Sequence, residues 1–428
     1  MAAPAVIQPT EDSVRAEVRA WLEANWRPDL GLIEWREKLV DAGWGAPAWP
    51  GAFYGRDLDA SLAAVVAAEM RRVGAVGVAR AGVRNLVIQT LLEHGSDDQK
   101  RRFLRAALTG RDSWCQLFSE PGGGSDLAGA TTRAELRNSR WVVNGQKVWT
   151  TSAHHADWGL LLARTNWDAP KHQGLSVFLI AMRQPGVEVR PLKQMNGHAS
   201  FNQVFFTDAD VAPEHLVGDL GGGWAVANTT LMHERRGADG TAAAQNAESP
   251  RQGPIYDEEQ AEAAITMEPY KWYPQRAGRV DLVLERARQT GKLDDPVVRQ
   301  EIAKLLVLAR SAEWTARRAR AAQAQGQPPG PEGSLGKLVA SHVARAAARV
   351  HTMISGADAM LAGEDAPLQG VIAEVLVSVP AVSIAGGTDE IQRNIIAERV
   401  LRMPKEPGFD AARPFRDVPR NAAGGRGT

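Results

Sequence analysis

The chain has 428 residues, enough at roughly 150 residues per domain for two or three domains. Apolar residues make up 44% and charged residues 23%, the balance of a soluble globular protein with a sizeable core. Lys and Arg total 50 against 50 Asp and Glu, which argues against nucleic-acid binding, and the single cysteine, Cys115, excludes an intramolecular disulfide and a cysteine-based zinc site.

One cysteine suits a reducing cytoplasm. The start, Met1 to Ile7, lacks the basic residues and long apolar run of a signal peptide. No stretch approaches 18 uninterrupted apolar residues, so no membrane span is predicted. The expected location is cytoplasmic.

Residues 1–112 read as helices. After Glu11-Asp12-Ser13, Val14, Val18, Trp21 and Leu22 recur at helical spacing. Further helical runs cover 62–73 and 85–94, and Asp97-Asp98-Gln99 opens a short basic helix. Residues 113–220 change to strands. Trp141 to Val143 and Gln146 to Trp149 flank Asn144-Gly145, which predicts a hairpin with a tight primed turn. Strands are also predicted over 158–164, 175–181, 187–192 and 201–206, giving a small β domain, a barrel or a sandwich. Residues 221–403 return to helix, with amphipathic runs from Val298 to Ala309 and from Leu335 to Val350, and a last helix from Asp389 that Thr388 caps. Long helices with short links predict a bundle. Residues 241–276 interrupt it as an insertion rich in Ala, Gln, Glu and Pro, with Tyr270, Trp272 and Tyr273 clustered. It reads as a lid, as a partner surface, or equally as a solvated loop. The tail, 404–428, is expected to be poorly ordered or draped on a surface.

Three segments carry possible chemistry. In Ser119-Glu120-Pro121-Gly122-Gly123-Gly124-Ser125-Asp126, three glycines let the backbone approach a ligand, though a plain tight turn explains them equally. Gly386-Gly387 leads into a helix N-terminus, where free N–H groups hold a phosphate or a carbonyl oxygen, or where the glycines only cap a helix end. Met232-His233-Glu234-Arg235-Arg236 lacks the second histidine of the zinc-protease pattern, and on its own Glu234 reads as a solvated residue paired with an arginine. His154-His155 has no third ligand at useful spacing, so no metal site is expected.

In order along the chain, Gln116-Leu117-Phe118-Ser119-Glu120-Pro121-Gly122-Gly123-Gly124-Ser125-Asp126, then Asn144-Gly145-Gln146-Lys147-Val148-Trp149-Thr150-Thr151, then Gly386-Gly387-Thr388-Asp389-Glu390-Ile391-Gln392 resemble the acyl-CoA dehydrogenase family over roughly residues 11–403. The resemblance implies a mainly α fold: an N-terminal helical domain, a small middle β-barrel and a C-terminal four-helix bundle. It implies non-covalent FAD. Phe118 and Ser119 then bond the flavin ring, Trp149 lies against it, and Thr151 sits near its N5. Arg288 serves the pyrophosphate, while Thr388 and Gln392 contact the nucleotide part, in this subunit or a neighbour. Gly356 matches a glycine of a FAD-contacting turn, in a segment that departs from the family's richer glycine pattern. Ser125 lies by the acyl-CoA thioester, and Arg235 bears on the CoA side. The implied reaction is α,β-dehydrogenation of an acyl-CoA to the trans-2-enoyl-CoA: a carboxylate takes the α-proton and the flavin takes a hydride from Cβ.

Many members carry Glu directly before the C-terminal Gly-Thr, whereas this chain has Gly386, which lends an N–H to the thioester carbonyl but takes no proton. Other branches place the base on the helix after the β domain, before an arginine, where Glu234-Arg235 stands. Glu234 is therefore the expected base. The missing side chain at 386 suggests a branched or bulky acyl group, α-methyl or sterol-derived. Alternatives are a base-deficient structural subunit of a heteromeric dehydrogenase and a flavin oxidase or monooxygenase on the same fold. The expected partners are an electron-transfer flavoprotein and either further copies of the chain, as a dimer or tetramer, or a related chain.

Overall fold

The computed structural model describes residues 9–237, 251–325, 332–405, 407–408, 410 and 412–419. Helices α1 (Glu11–Asn25), α2 (Leu32–Asp41), α3 (Ala60–Arg72), α4 (Val83–His94) and α5 (Asp97–Thr109) come first. The starts of α1 and α5 are fixed by capping boxes, Thr10 with Ser13 and Ser96 with Gln99. Val14, Val18, Leu22, Trp35 and Leu39 share one buried core, as the helical spacing requires.

Eight strands follow: β1 (Trp114–Leu117), β2 (Arg133–Arg137), β3 (Arg140–Thr151), β4 (Trp158–Arg164), β5 (Leu175–Ala181), β6 (Val187–Leu192), β7 (Phe201–Val211) and β8 (Leu216–Val217). They form one sheet in the order β6-β7-β3-β2-β4-β5-β8, with β1 parallel to β4. The sheet curves around its own core, which gathers Leu161, Phe178, Val204 and Phe206, in the manner of a barrel. Its other face at β4 and β5 (Leu160, Leu162, Val177, Leu179) packs with helix residues such as Phe103 and Val226. Burial on both faces explains why β4 and β5 read as continuous apolar runs.

The Asn144-Gly145 pair does not make the expected turn. Both residues lie inside the long strand β3, at a bulge opposite β7. The hairpin turn is at Asn138-Ser139, where both residues have positive φ (50° and 61°), the conformation of a primed two-residue turn. A bulge and a turn both select Asn and Gly, so composition alone does not separate them.

Helices α6 (Gly223–Gly237), α7 (Pro254–Met267), α8 (Tyr273–Arg276), α9 (Val283–Gln289), α10 (Pro296–Ala324), α11 (Glu332–Ser355), α12 (Val371–Ser378) and α13 (Asp389–Ile395) complete the chain. Val283 of α9, Ile302 and Leu305 of α10, and Val350 and Ile354 of α11 make one core, while Ala344 of α11 meets Val375 of α12 in another. No described helix is long and apolar enough to cross a membrane.

The described part of the expected insertion is neither a solvated loop nor detached from the body. Ile255 and Tyr256 of α7 are buried with the first helices, and the Tyr256 hydroxyl donates to Gly74 O at 2.8 Å. Glu258 accepts from the Leu32 N–H at 2.8 Å, capping α2, whose own N-cap residue is Gly31. Glu262 accepts from Arg36 at 2.7 Å and from Arg84 at 3.2 Å. Glu262 is thus matched by arginines of the first helices, and Glu258 by the start of α2. Residues 241–250 lie outside the described residues. Part of the tail is also docked: Phe415 is 1% exposed, against the β4–β5 connection.

Candidate active site

Strand alternation sorts β1. Cys115 and Leu117 enter the sheet's own core, whereas Trp114, Gln116 and Phe118 face the helices. Helix α6 approaches that face closely. A Cβ at Gly223 would lie 2.5 Å from Ser176 Cα, so only glycine lets the helix start against β5. Val226 and Ala227 are buried there, and the Thr230 hydroxyl meets that of Thr90 at 2.9 Å. One turn further on the same side stands Glu234. Gln116 Nε2 donates to Glu234 Oε2 at 3.4 Å.

The segment after α7 brings two phenols within range of this carboxylate's charge. Burial pushes Tyr270 up to about 12, with Tyr273 and the Glu234 charge adding to the effect and a hydrogen bond with Thr151 opposing it. Burial also raises Tyr273, with the Glu234 charge adding and Arg276 opposing. Both phenols therefore stay protonated at neutral pH. Their rings are perpendicular, 4.9 Å apart, and Tyr273 lies 5.1 Å from Trp272. The aromatic chain continues through Phe201, 6.5 Å from Trp272, to Trp149, 5.7 Å from Phe201. Trp149 stands at a second irregularity of β3 with φ of 62°, its side chain held out although it is 55% exposed.

The Phe118–Ser119 segment is tied to β3 from within. Lys147 Nζ donates to Phe118 O at 2.9 Å and to Glu120 Oε1 at 2.8 Å, and Val148 N donates to Ser119 O at 2.9 Å. Glu120 also accepts from Thr131 N and Thr132 N at 2.7 and 2.8 Å. Burial acts to raise the Glu120 carboxyl, but the Lys147 charge and these donors outweigh it and bring it down to about 2. Ser125 lies exposed on the glycine-rich loop.

A second group surrounds Gly386. Thr388 caps α13, accepting from Ile391 N. Gln392, 1% exposed, donates from Nε2 to Gly386 O at 3.0 Å. Nothing stands within 4 Å of a Cβ built at Gly386, so the missing side chain leaves open space. Arg276 lies towards both groups: its guanidinium is 4.0 Å from the Tyr273 ring centroid, and its charge is felt by Lys337, which pairs with Asp389 at 3.7 Å.

The structure thus brings Phe118, Ser119, Trp149, Thr151 and Glu234 together through shared neighbours, and Gly386, Thr388 and Gln392 into one turn. It does not bring Arg288 or Gly356 to either: Arg288 is exposed on α9 and pairs with Glu285, and Gly356 is exposed at the end of α11. The side chain of Arg235 lies outside the described residues. A groove of about 380 Å³ between α10 and α11 is lined by none of these residues. Among the described residues no cluster of His, Cys, Asp and Glu suits a metal ion. Sequence reasoning passes over Gln116, Glu120 and Lys147, although all three stand inside the quoted motifs. For Gln116 the signal is a polar residue within an otherwise apolar strand.

The residues fit a large flat ligand rich in donors and acceptors. The Trp149 ring is presented to the outside, and the buried Thr150 Oγ1 and Gln392 Oε1 have no hydrogen-bond partner among the described residues.

Models of the acyl-CoA dehydrogenase N-terminal, middle and C-terminal domains match residues 5–111, 115–209 and 277–401. The chain belongs to the acyl-CoA dehydrogenase family, oxidoreductases that act on CH–CH bonds and use FAD. Glu234 and Tyr270 fall in the stretch between the last two matches. The chain is similar to acyl-CoA dehydrogenase IpdE1 of Mycobacterium tuberculosis, 32% identical over 420 residues, covering 92% of this chain and 98% of the relative. Among solved structures it is similar to the Tcur3481-Tcur3483 steroid ACAD, with TM-score 0.63 and 25% identity over 92% of this chain and 98% of that one. It is also similar to the ChsE4-ChsE5 complex from Mycobacterium tuberculosis, with TM-score 0.62 and 25% identity over 94% and 100%.

Proposed function

We propose that this chain is an FAD-dependent dehydrogenase that converts an acyl-CoA to its trans-2-enoyl-CoA, with Glu234 as the base. The observation that carries the reading is the Glu234 carboxylate on α6, hydrogen-bonded by Gln116, with the phenols of Tyr270 and Tyr273 in range of its charge. Bound FAD supplies the two-electron acceptor. Phe118, Ser119, Trp149 and Thr151 hold its ring, and Thr388 and Gln392 its nucleotide part. Arg288 and Gly356, exposed on the bundle, reach a flavin only across a subunit contact.

Glu234 takes the α-proton, and Gln116 orients its carboxylate. The Gly386 N–H receives the thioester oxygen, where charge builds as the proton leaves. Ser125 and Arg235 hold the CoA portion. Tyr270 and Tyr273 shield the carboxylate from water. The domains divide at about 112 and 220, so the site lies where all three meet. The open space at Gly386 and the steroid ACAD relative support a branched or bulky acyl group, α-methyl or steroid-derived. Two-chain complexes among the relatives support assembly with a related chain rather than with copies of itself alone. An electron-transfer flavoprotein is the proposed acceptor.

An anaerobic titration with straight-chain, α-methyl and steroid-ring acyl-CoA thioesters, followed by flavin absorbance, tests the activity. Bulky thioesters should bleach the flavin, and Glu234→Gln should slow bleaching by about 10²-fold or more while binding is retained. An unchanged rate in that variant moves the base elsewhere, and bleaching by straight-chain thioesters alone removes the bulky-substrate reading.

A further inference from the structure

The glycine-rich loop is braced from outside the motif. Arg164, at the end of β4 and fully buried, donates to Ala128 O at 2.6 Å, to Ala130 O at 2.9 Å and to Lys171 O at 3.1 Å. One guanidinium therefore joins the exit of the loop to the β4–β5 connection. The Phe415 ring covers this guanidinium, its centroid 3.4 Å from Arg164 Cζ. Phe415 is held in turn by backbone pairing. Its N–H donates to Ala169 O and that of Arg416 to Trp167 O, both at 3.0 Å, and Pro414 forms a bridge with Pro170. A second link runs through Lys171, whose ammonium lies 2.8 Å from Asp126 in the loop and 3.5 Å from Asp410 in the tail. Both routes start in the C-terminal segment and end at the loop that carries Ser125.

We propose that Asp410 and the segment 414–416 clamp the glycine-rich loop in its substrate-binding conformation, with Phe415, Arg164 and Lys171 as positioning residues. The clamp needs a terminal segment that buries an aromatic ring over an arginine, and Phe415 does so, with the Trp167 ring 5.5 Å from its own. That the held conformation is the substrate-binding one rests on the reading of Ser125 as a contact to the CoA thioester.

The test uses the full chain with its flavin and three variants, Phe415→Ala, Phe415→Trp and Asp410→Asn. Amide exchange over residues 120–131 reports the loop directly. Calorimetry with isobutyryl-CoA reports binding, and flavin reduction at saturating thioester reports chemistry. In Phe415→Ala, exchange over 120–131 should rise and isobutyryl-CoA should bind about tenfold more weakly, the size set by losing a desolvated cation–π contact. The saturating rate should stay unchanged, and Phe415→Trp should restore both readouts. Asp410→Asn should give the same pattern more weakly, and it carries the test if Phe415→Ala does not fold. Unchanged exchange over 120–131 in both variants overturns the clamp. Raised exchange with unchanged binding upholds the clamp and overturns the reading of Ser125, which Ser125→Ala then checks separately.

Discussion

Glu120 and Lys147 give the sharpest prediction about how the site is held. Their charged side chains are 6% and 0% exposed and meet at 2.8 Å. Replacing Glu120 by Gln leaves the Lys147 ammonium buried without its counter-charge. Removing one partner of such a pair costs about 3–5 kcal/mol. The carboxyl's own titration gives a second figure. It falls from about 4.3 in an unfolded chain to about 2 when folded, a shift of about 2 units that corresponds to ~3 kcal/mol. The two figures agree in size. Because the folded value is the lower one, this stabilisation is complete above about pH 4.3 and disappears as pH falls through about 2. Urea denaturation of the full chain measures it. Glu120→Gln should lose about 3 kcal/mol at pH 7, and the double variant with Lys147→Met should recover much of that loss, because no charge is then left buried. Flavin content should fall in the single variant, since Lys147 also holds Phe118 O. A single-variant loss below about 1 kcal/mol, or no recovery in the double variant, refutes the reasoning.

Three further outcomes follow from the packing around the site. Gly223→Val must push α6 away from the Ser176 backbone; it should cost about 1–3 kcal/mol and slow flavin reduction by displacing Glu234, with retention of the full wild-type rate counting against the placement. Tyr270 should remain un-ionised past pH 11, so an ultraviolet titration of the four tyrosines should lose its component at about 12 in Tyr270→Phe. The folded value is raised, so Tyr270 contributes stability that is whole below about pH 10 and lost as pH rises through about 12. Glu258→Ala removes the carboxylate that caps α2 and should lower stability by about 1 kcal/mol, an effect that a merely solvated loop would not show.

Much of the fold was legible because its signals are local. Periodicity located α1, α4 and α5, and β4 and β5 begin and end at the residues their apolar runs predict. The motifs marked Trp149 and the Gly386 turn because each needs a residue type rare elsewhere: a large ring held out of the core, or a glycine at positive φ. Asn144-Gly145 misled because a bulge and a turn make the same local demand, and only the partner strand β7 shows which is present. The segment from Pro254 to Arg276 misled for another reason. Its Glu, Gln and Ala suit solvent, and its carboxylates became structural only on meeting Arg36, Arg84 and the start of α2, all more than 170 residues earlier in the chain.

Glu234 shows the division most plainly. Its sequence neighbourhood is a helix with arginines, and a solvated carboxylate is the ordinary reading of such a place. The sequence by itself determined the residue types and the local geometry: a glycine where α6 meets β5, a carboxylate three turns later, and two tyrosines in a segment further on. Only the tertiary structure decided that Gln116, Glu234, Tyr270 and Tyr273 share one space, because that follows from α6 docking on β5 and from α7 packing on the first helices. A side chain's chemistry is set by its solvent and its neighbours, and in this chain those neighbours come from segments more than a hundred residues apart.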